Sequence, residues 1–156
     1  MAAVAIQGND SIILTVGGVP TVLSDFGKNG DIGTLTFDDD LWELYPSKNG
    51  NVVYVYKVSG KLVKMEINLI LNSPNDKLLN SLSSNTISNP ASTVLFNASL
   101  IKETGDGQGN VTNTKYNLIG GVISRNVDAK INVAGDEDQA LAKWNFKFAT
   151  AERLIV

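Results

Sequence analysis

The chain has no cysteine and no histidine in 156 residues. Those two gaps exclude Ser-His-Asp and Cys-His catalysis, zinc sites, haem attachment and iron–sulfur ligation. The side chain that most often changes charge near neutral pH is missing too. Charge is sparse: 19% of residues are charged against 43% hydrophobic, which excludes a disordered polyelectrolyte. Cations are outnumbered, thirteen Lys and Arg to sixteen Asp and Glu, giving a net charge of −3 and a pI near 4.8. Tight nucleic-acid binding needs clustered cations to neutralise phosphate, so it is disfavoured. No stretch approaches the roughly 20 apolar residues that span a bilayer. The start, Met1 to Gln7, lacks a basic region and its apolar run is too short for a signal peptide. The expectation is a soluble protein made in a cytoplasm. A chain of this length fits one domain, residues 1–156, and can bury roughly two thirds of its unfolded surface without a disulfide or metal.

What is present has mainly period two, the signature of strands. Seven extended segments can be marked: Ser11 to Leu23, broken by a turn at Gly17-Gly18; Asp31 to Phe37; Asn51 to Val58; Lys61 to Leu71; Ser92 to Lys102; Thr114 to Arg125; and Trp144 to Thr150 with a tail to Val156. In the fourth, Val63, Met65, Ile67, Leu69 and Leu71 share one face and Lys64, Glu66 and Asn68 the other. That is a strand with one dry and one wet side. Trp144, Phe146 and Phe148 alternate with Asn145, Lys147 and Ala149 in the same way. Ser59-Gly60 is a turn signal that predicts a hairpin between the third and fourth segments. Asn29-Gly30 and Asn49-Gly50 supply the positive φ angles of sharp turns.

One short helix is predicted from Ser73-Pro74-Asn75-Asp76: a hydroxyl at the N-cap, proline at the first helical position, an acid at the third. Leu78, Leu79 and Leu82 form its apolar stripe, and it should end near Ser84-Asn85. A weaker helical turn spans Asp136 to Lys143. The run Gly105-Asp106-Gly107-Gln108-Gly109-Asn110 has no lysine followed by Ser or Thr and opens no helix, so it reads as a hairpin loop rather than a phosphate cradle. The fold class is therefore mainly β, an antiparallel sandwich or barrel-like domain with one flanking α-helix.

Few residues suggest chemistry. Asp38-Asp39-Asp40 could attract a hard cation, but the spacing of a calcium loop is missing and a solvated strand exit is the simpler reading. Nothing places Asp25, Glu43 or Glu66 as a facing acid pair for glycoside hydrolysis. No catalytic residue, metal ligand or cofactor is expected, and the protein does not read as an enzyme. Asn9, Asn97 and Asn110 match a glycosylation pattern that means little without a secretory signal. Trp42, Tyr45, Tyr54 and Tyr56 could form an aromatic platform for sugars, so a carbohydrate- or ligand-binding module is the alternative reading. The segment Asp38 to Gly50 is more informative. It is too long for a turn, yet carries Leu41, Trp42, Leu44 and Tyr45, which would forfeit several kcal/mol in water at ~25 cal/mol per Å². With the apolar ends, Val4, Ile6 and Leu154 to Val156, it points to self-assembly.

The order of these pieces resembles the tail tube proteins of contractile-tailed bacteriophages, which are related to phage-derived and type VI secretion tubes. The matching stretches are Ile12-Ile13-Leu14, Gly30 to Phe37, Ser47 to Asn51 followed by Val53 to Tyr56, Ser73 to Asn80, and Gly105 to Val111. The resemblance implies a virion protein, assembled in the bacterial host cytoplasm, whose rings, six copies each, stack into an inner tail tube. DNA would leave through the lumen without specific binding. Partners would be copies of itself and the sheath, baseplate and terminator proteins. The loop over 38–51, with Leu41, Trp42, Leu44 and Tyr45, would be the extension that touches neighbouring subunits. Lys64, Glu66 and Asn68 would face the lumen or the sheath. A negative overall balance would help phosphate pass.

Overall fold

Val63, Met65, Ile67 and Leu69 are all buried, with Lys64 and Glu66 between them exposed and Asn68 half-buried. Each buried residue lies directly opposite another on the neighbouring strand: Val63 faces Phe148, Met65 faces Phe146, Ile67 faces Trp144 and Leu69 faces Ala142. Opposed residues share a face, so two alternating sequences meet to make one apolar wall. Burying each large side chain there contributes about 1.5–3 kcal/mol. Leu71, expected on the same face, is exposed because the strand ends at Ile70 and the chain turns through Asn72, whose φ is +63°.

The structure, a computed structural model, describes residues 4–6, 10–27, 32–131, 133–135 and 137–155. Its strands are β1 (Ala5–Ile6), β2 (Ser11–Val16), β3 (Val19–Leu23), β4 (Gly33–Phe37), β5 (Trp42–Pro46), β6 (Val52–Tyr56), β7 (Val63–Ile70), β8 (Phe96–Gly105), β9 (Val111–Arg125) and β10 (Leu141–Ile155), with helix α1 (Pro74–Ser88) after β7. The main sheet runs β3-β2-β8-β9-β10-β7-β4, with β1 also paired to β8. All its pairings are antiparallel. The chain leaving β3 crosses to the outer edge of β7. There Phe26 bridges Leu69, and Ile70 N–H donates to Asp25 C=O at 2.8 Å. The sheet therefore curls on itself and has the barrel-like, mainly β character expected.

Two fifteen-residue strands cannot wrap a curled sheet without a change of phase. Tyr116 and Leu118 face the interior, and so do Gly121 and Ile123, so alternation slips at Ile119-Gly120. Gly120 absorbs the slip at φ +72°, and the β8–β9 register shifts between Phe96 and Ala98. Such a bulge bends a strand and sharpens its twist. At Gly121 a Cβ would run into the Phe148 ring and lie 2.9 Å from Phe96. Glycine makes room for Phe96 to meet Phe146 and Phe148 edge-on, with centroids 5.6 and 5.8 Å apart.

Helix α1 starts as the sequence predicts. Ser73 Oγ accepts from Asp76 N–H at 3.4 Å and Pro74 opens the first turn. It runs to Ser88, one turn past the expected end. Leu79 is buried and Leu82 packs against the core. Its first turn also fastens the barrel. Asp76 accepts from Trp144 Nε1 at 2.8 Å, while Asn75 Oδ1 accepts from the backbone of Ser24 and Asp25 at 2.9 and 3.1 Å.

Two expectations need correction. The third and fourth segments do not form a hairpin: β6 pairs with β5 in a separate two-stranded sheet. Ser59-Gly60 lies in a 3-10 turn, Val58–Lys61, where a Cβ on Gly60 would sit 2.9 Å from Asp40 O and Leu41 Cα. Accordingly Asp38 to Gly50 is not a plain loop, since it contains β5. Of the weak turn at Asp136 to Lys143, Glu137–Ala140 is 3-10 and the strand begins at Leu141, while Asp136 lies outside the described residues. Asn29-Gly30 lies outside them as well.

Candidate assembly surface

The β5–β6 ribbon carries the residues singled out in sequence. Its turn is Ser47 to Gly50: Gly50 adopts φ +80°, its N–H donates to Ser47 C=O at 3.2 Å, and Ser47 N–H donates to Asn51 C=O at 2.7 Å. Trp42 lies opposite Tyr56 and Leu44 opposite Tyr54. These four share one face, with Trp42 and Tyr56 edge-on at a centroid distance of 5.2 Å. Tyr45 lies opposite Val53 on the other face, beside Glu43 and Val55, so it leaves the aromatic platform expected of it. Leu41 precedes the strand and packs on the Gly60 turn.

Both faces of this ribbon are open. Trp42 is 53% exposed, Tyr54 64%, Tyr45 53% and Val53 57%. A two-stranded ribbon is marginal in water unless a face is covered. The signal for it was legible: Asn49-Gly50 between Trp42–Pro46 and Val52–Tyr56 is the strongest short hairpin pattern there is. The unbroken run Val52-Val53-Tyr54-Val55-Tyr56 also reads as a strand meant to be covered on both sides.

An ionic clamp closes the root of the ribbon, and sequence reasoning missed it. Lys57 Nζ lies 2.8 Å from Asp39 and 2.7 Å from Glu43. Ser59 Oγ donates to Asp39 at 2.8 Å, Tyr45 OH donates to Glu43, and Lys57 N–H donates to Leu41 C=O at 2.7 Å. The hydrogen bond from Lys57, then that from Ser59, holds the Asp39 carboxyl down at about 2. Glu43 is lowered by Lys57 and Tyr45, and Lys57 is raised by both acids. Within Asp38-Asp39-Asp40 the acids diverge, Asp39 to Lys57 and Asp38 to Lys64 at 3.8 Å. Among the described residues no group of three or more acids converges as a metal cage would require.

Lys64, Glu66 and Asn68 lie on the outer face of β7, opposite Lys147, Asn145 and Lys143. Lys143 and Glu66 are 3.3 Å apart. This patch is a mixed one with more cations than anions, unlike the chain as a whole. The loop from Gly105 to Asn110 joins β8 to β9 as expected. The Asp106 carboxylate is consumed by that loop, accepting from Gln108 N–H at 2.8 Å, Asn110 N–H at 3.2 Å and Asn110 Nδ2 at 2.7 Å.

Sheet margins are the remaining open features. β3 and β4 are the terminal strands of the main sheet. Among the described residues β10 pairs with β7 only through Phe148, so its margin from Ala149 to Ile155 continues past that neighbour. Val4, Ile6, Val111 and Ile155 are exposed as well. The chain matches no protein-family model and no curated protein. Its fold is similar to that of a chain in the six-fold symmetrised cryo-EM structure of the anti-feeding prophage baseplate, with a TM-score of 0.51 at 10% identity, over 100% of this chain and 97% of that one. What the two chains share is an architecture, along their whole lengths.

Proposed function

We propose that this protein is a structural subunit of a phage-tail-like particle, self-assembling into stacked, six-membered rings of an inner tail tube through which DNA is ejected. The observation that carries the reading is the β5–β6 ribbon, apolar on the face of Trp42, Leu44, Tyr54 and Tyr56, mixed on the face of Glu43, Tyr45, Val53 and Val55, and open on both. Leaving Trp42, Leu44, Tyr54 and Tyr56 half in water wastes burial of about 1 kcal/mol or more each, which docking recovers. Support comes from the whole-length likeness of fold to a chain of a six-fold prophage assembly and from the order of sequence elements. Unpaired margins on β3, β4 and β10 are aggregation hazards in a monomer and joining devices in a closed ring. In this reading Leu41, Trp42, Leu44 and Tyr45 contact neighbouring copies, and Lys64, Glu66 and Asn68 face the lumen or the sheath. Sheath, baseplate and terminator proteins are the other partners. The particle forms in the bacterial cytoplasm, and the role needs neither catalysis nor cofactor.

Negative-stain microscopy of the purified protein tests this. Rings or tubes of uniform width are expected at high concentration, and Trp42→Ser with Tyr54→Ser should reduce them sharply. A particle that stays monomeric, with Trp42 fluorescence quenched by sugars, would instead favour the carbohydrate-binding reading that the shared Trp42, Tyr54 and Tyr56 face also permits.

A further inference from the structure

The outer face of β7 and β10 carries a charge opposite to that of the chain. Lys64, Lys143, Lys147 and Arg125 stand around Glu66 there, in a protein whose net charge is −3. Lys64 lies directly opposite Lys147. Like charges at opposed positions, about 5 Å apart at Cβ, destabilise a sheet. Neither is well neutralised. Lys64 reaches Asp38 only at 3.8 Å, and Lys147 forms no ion pair among the described residues. Glu66 is already held by Lys143 at 3.3 Å.

A break in the ladder opens this face. Arg125 pairs with Asn145 and Ile123 with Phe146, so Ser124 is an extra residue on β9. Such a bulge leaves one residue outside the ladder and bends its strand. Ser124 Oγ turns back to donate to Asn145 C=O at 3.3 Å. Beside it lies a cavity of about 300 Å³, bordered by Lys64, Glu66, Ser124, Arg125, Asn145 and Lys147. Three cations thus border one depression. The half-buried Asn145 side chain has no partner among the described residues and adds two N–H donors. Arg125 is engaged by Asp128 at 3.2 Å, an exposed pair that exchanges at little cost.

We infer that this depression seats neighbouring carboxylates on an acidic segment of another protein. The donor set suits them. A guanidinium offers paired N–H groups to one carboxylate, and the two ammonium groups offset the charge of the next. A bound acid would also relieve the repulsion between Lys64 and Lys147. Nucleic acid fits less well, because its affinity grows with the number of phosphates neutralised along a track. Here the cations form one compact group, and the remaining charge of the chain is negative and repels a long polyanion. The described neighbouring acids of this chain are themselves engaged, Asp38 by Lys64 and Asp39 by Lys57. The face is open on a single copy, so the inference stands apart from the assembly reading.

Fluorescein-labelled hexaglutamate titrated with the protein tests this, followed by anisotropy, which reads single copies and assemblies alike. Binding is expected, and it should weaken as salt rises. K147E with R125E should weaken it at least about ten-fold, and K147Q alone about three-fold. K48E with K77E reverses two exposed cations elsewhere and should change it less than about two-fold. All four positions are exposed, so urea midpoints should match that of the parent. Equal losses in the two double variants would reduce the effect to net charge and overturn the site, as would a peptide that does not bind. A labelled short DNA duplex held more tightly than the peptide, and released by K147E with R125E, would make phosphate the ligand and overturn the protein partner. Rings or tubes that vanish in K147E with R125E would make a second copy the occupant and overturn it too. Parent protein that binds the peptide but never forms rings or tubes would sink the assembly reading and leave this site standing.

Discussion

At the scale of single residues, the most consequential groups are polar ones that join elements. Trp144 gives its only side-chain donor to Asp76, whose carboxylate also accepts from Asn72 N–H just ahead of the helix. Trp144→Phe should cost about 1–3 kcal/mol, the price of a buried acceptor left without its partner, read as a lower urea midpoint. Gly121→Ala should destabilise by a similar amount through overpacking against Phe148 and Phe96, again seen in urea. The clamp at Lys57 behaves differently because it is exposed. Asp39 titrates at about 2 in place of its ordinary 3.8, so its contribution is complete above pH 3.8 and is lost as pH falls toward 2. Hydrogen exchange of residues 42–56 should therefore hold steady down to about pH 4 and accelerate only below it, beyond the intrinsic pH dependence of exchange. Lys57→Met should accelerate that exchange at neutral pH while the protection of β7 and β10 stays unchanged.

Among elements, legibility in the sequence followed the range of the forces involved. β7 and β10 were plain because dry and wet positions alternate and both faces obey one rule. The turns at Gly17-Gly18 and Gly105 to Asn110 were equally plain, since glycine supplies positive φ at both. The partner of β6 was not. Two turn signals flank Val52–Tyr56, Asn49-Gly50 before it and Ser59-Gly60 after it, and local pattern alone favours neither as the hairpin. Gly60 instead serves the close approach of Asp40 and Leu41, a contact between residues twenty apart that no local pattern announces. For the same reason Leu41, Trp42, Leu44 and Tyr45 were recognised as needing a cover, while Lys57, which sets how the ribbon leaves the body, was passed over. Gly50→Val would force a branched side chain to φ +80°, a strain of about 1–2 kcal/mol. It should loosen the ribbon by hydrogen exchange and lower assembly without unfolding the barrel.

For the whole molecule, the curled sheet and the ribbon divide the work. The barrel core, from Ile12 and Leu14 through Phe146 and Phe148, holds the fold, and the apolar surface outside it stays open, to be covered by neighbouring copies in the assembly proposed above. The margin of β10 beyond Phe148 belongs to that second category, and it presents main chain rather than side chain. A junction written in amides and carbonyls has no spelling to conserve. In the proposed assembly, residues on such a rim could drift almost without restraint and two copies would still meet in the same way, so kinship among proteins built like this one would survive in shape long after it has faded from the letters.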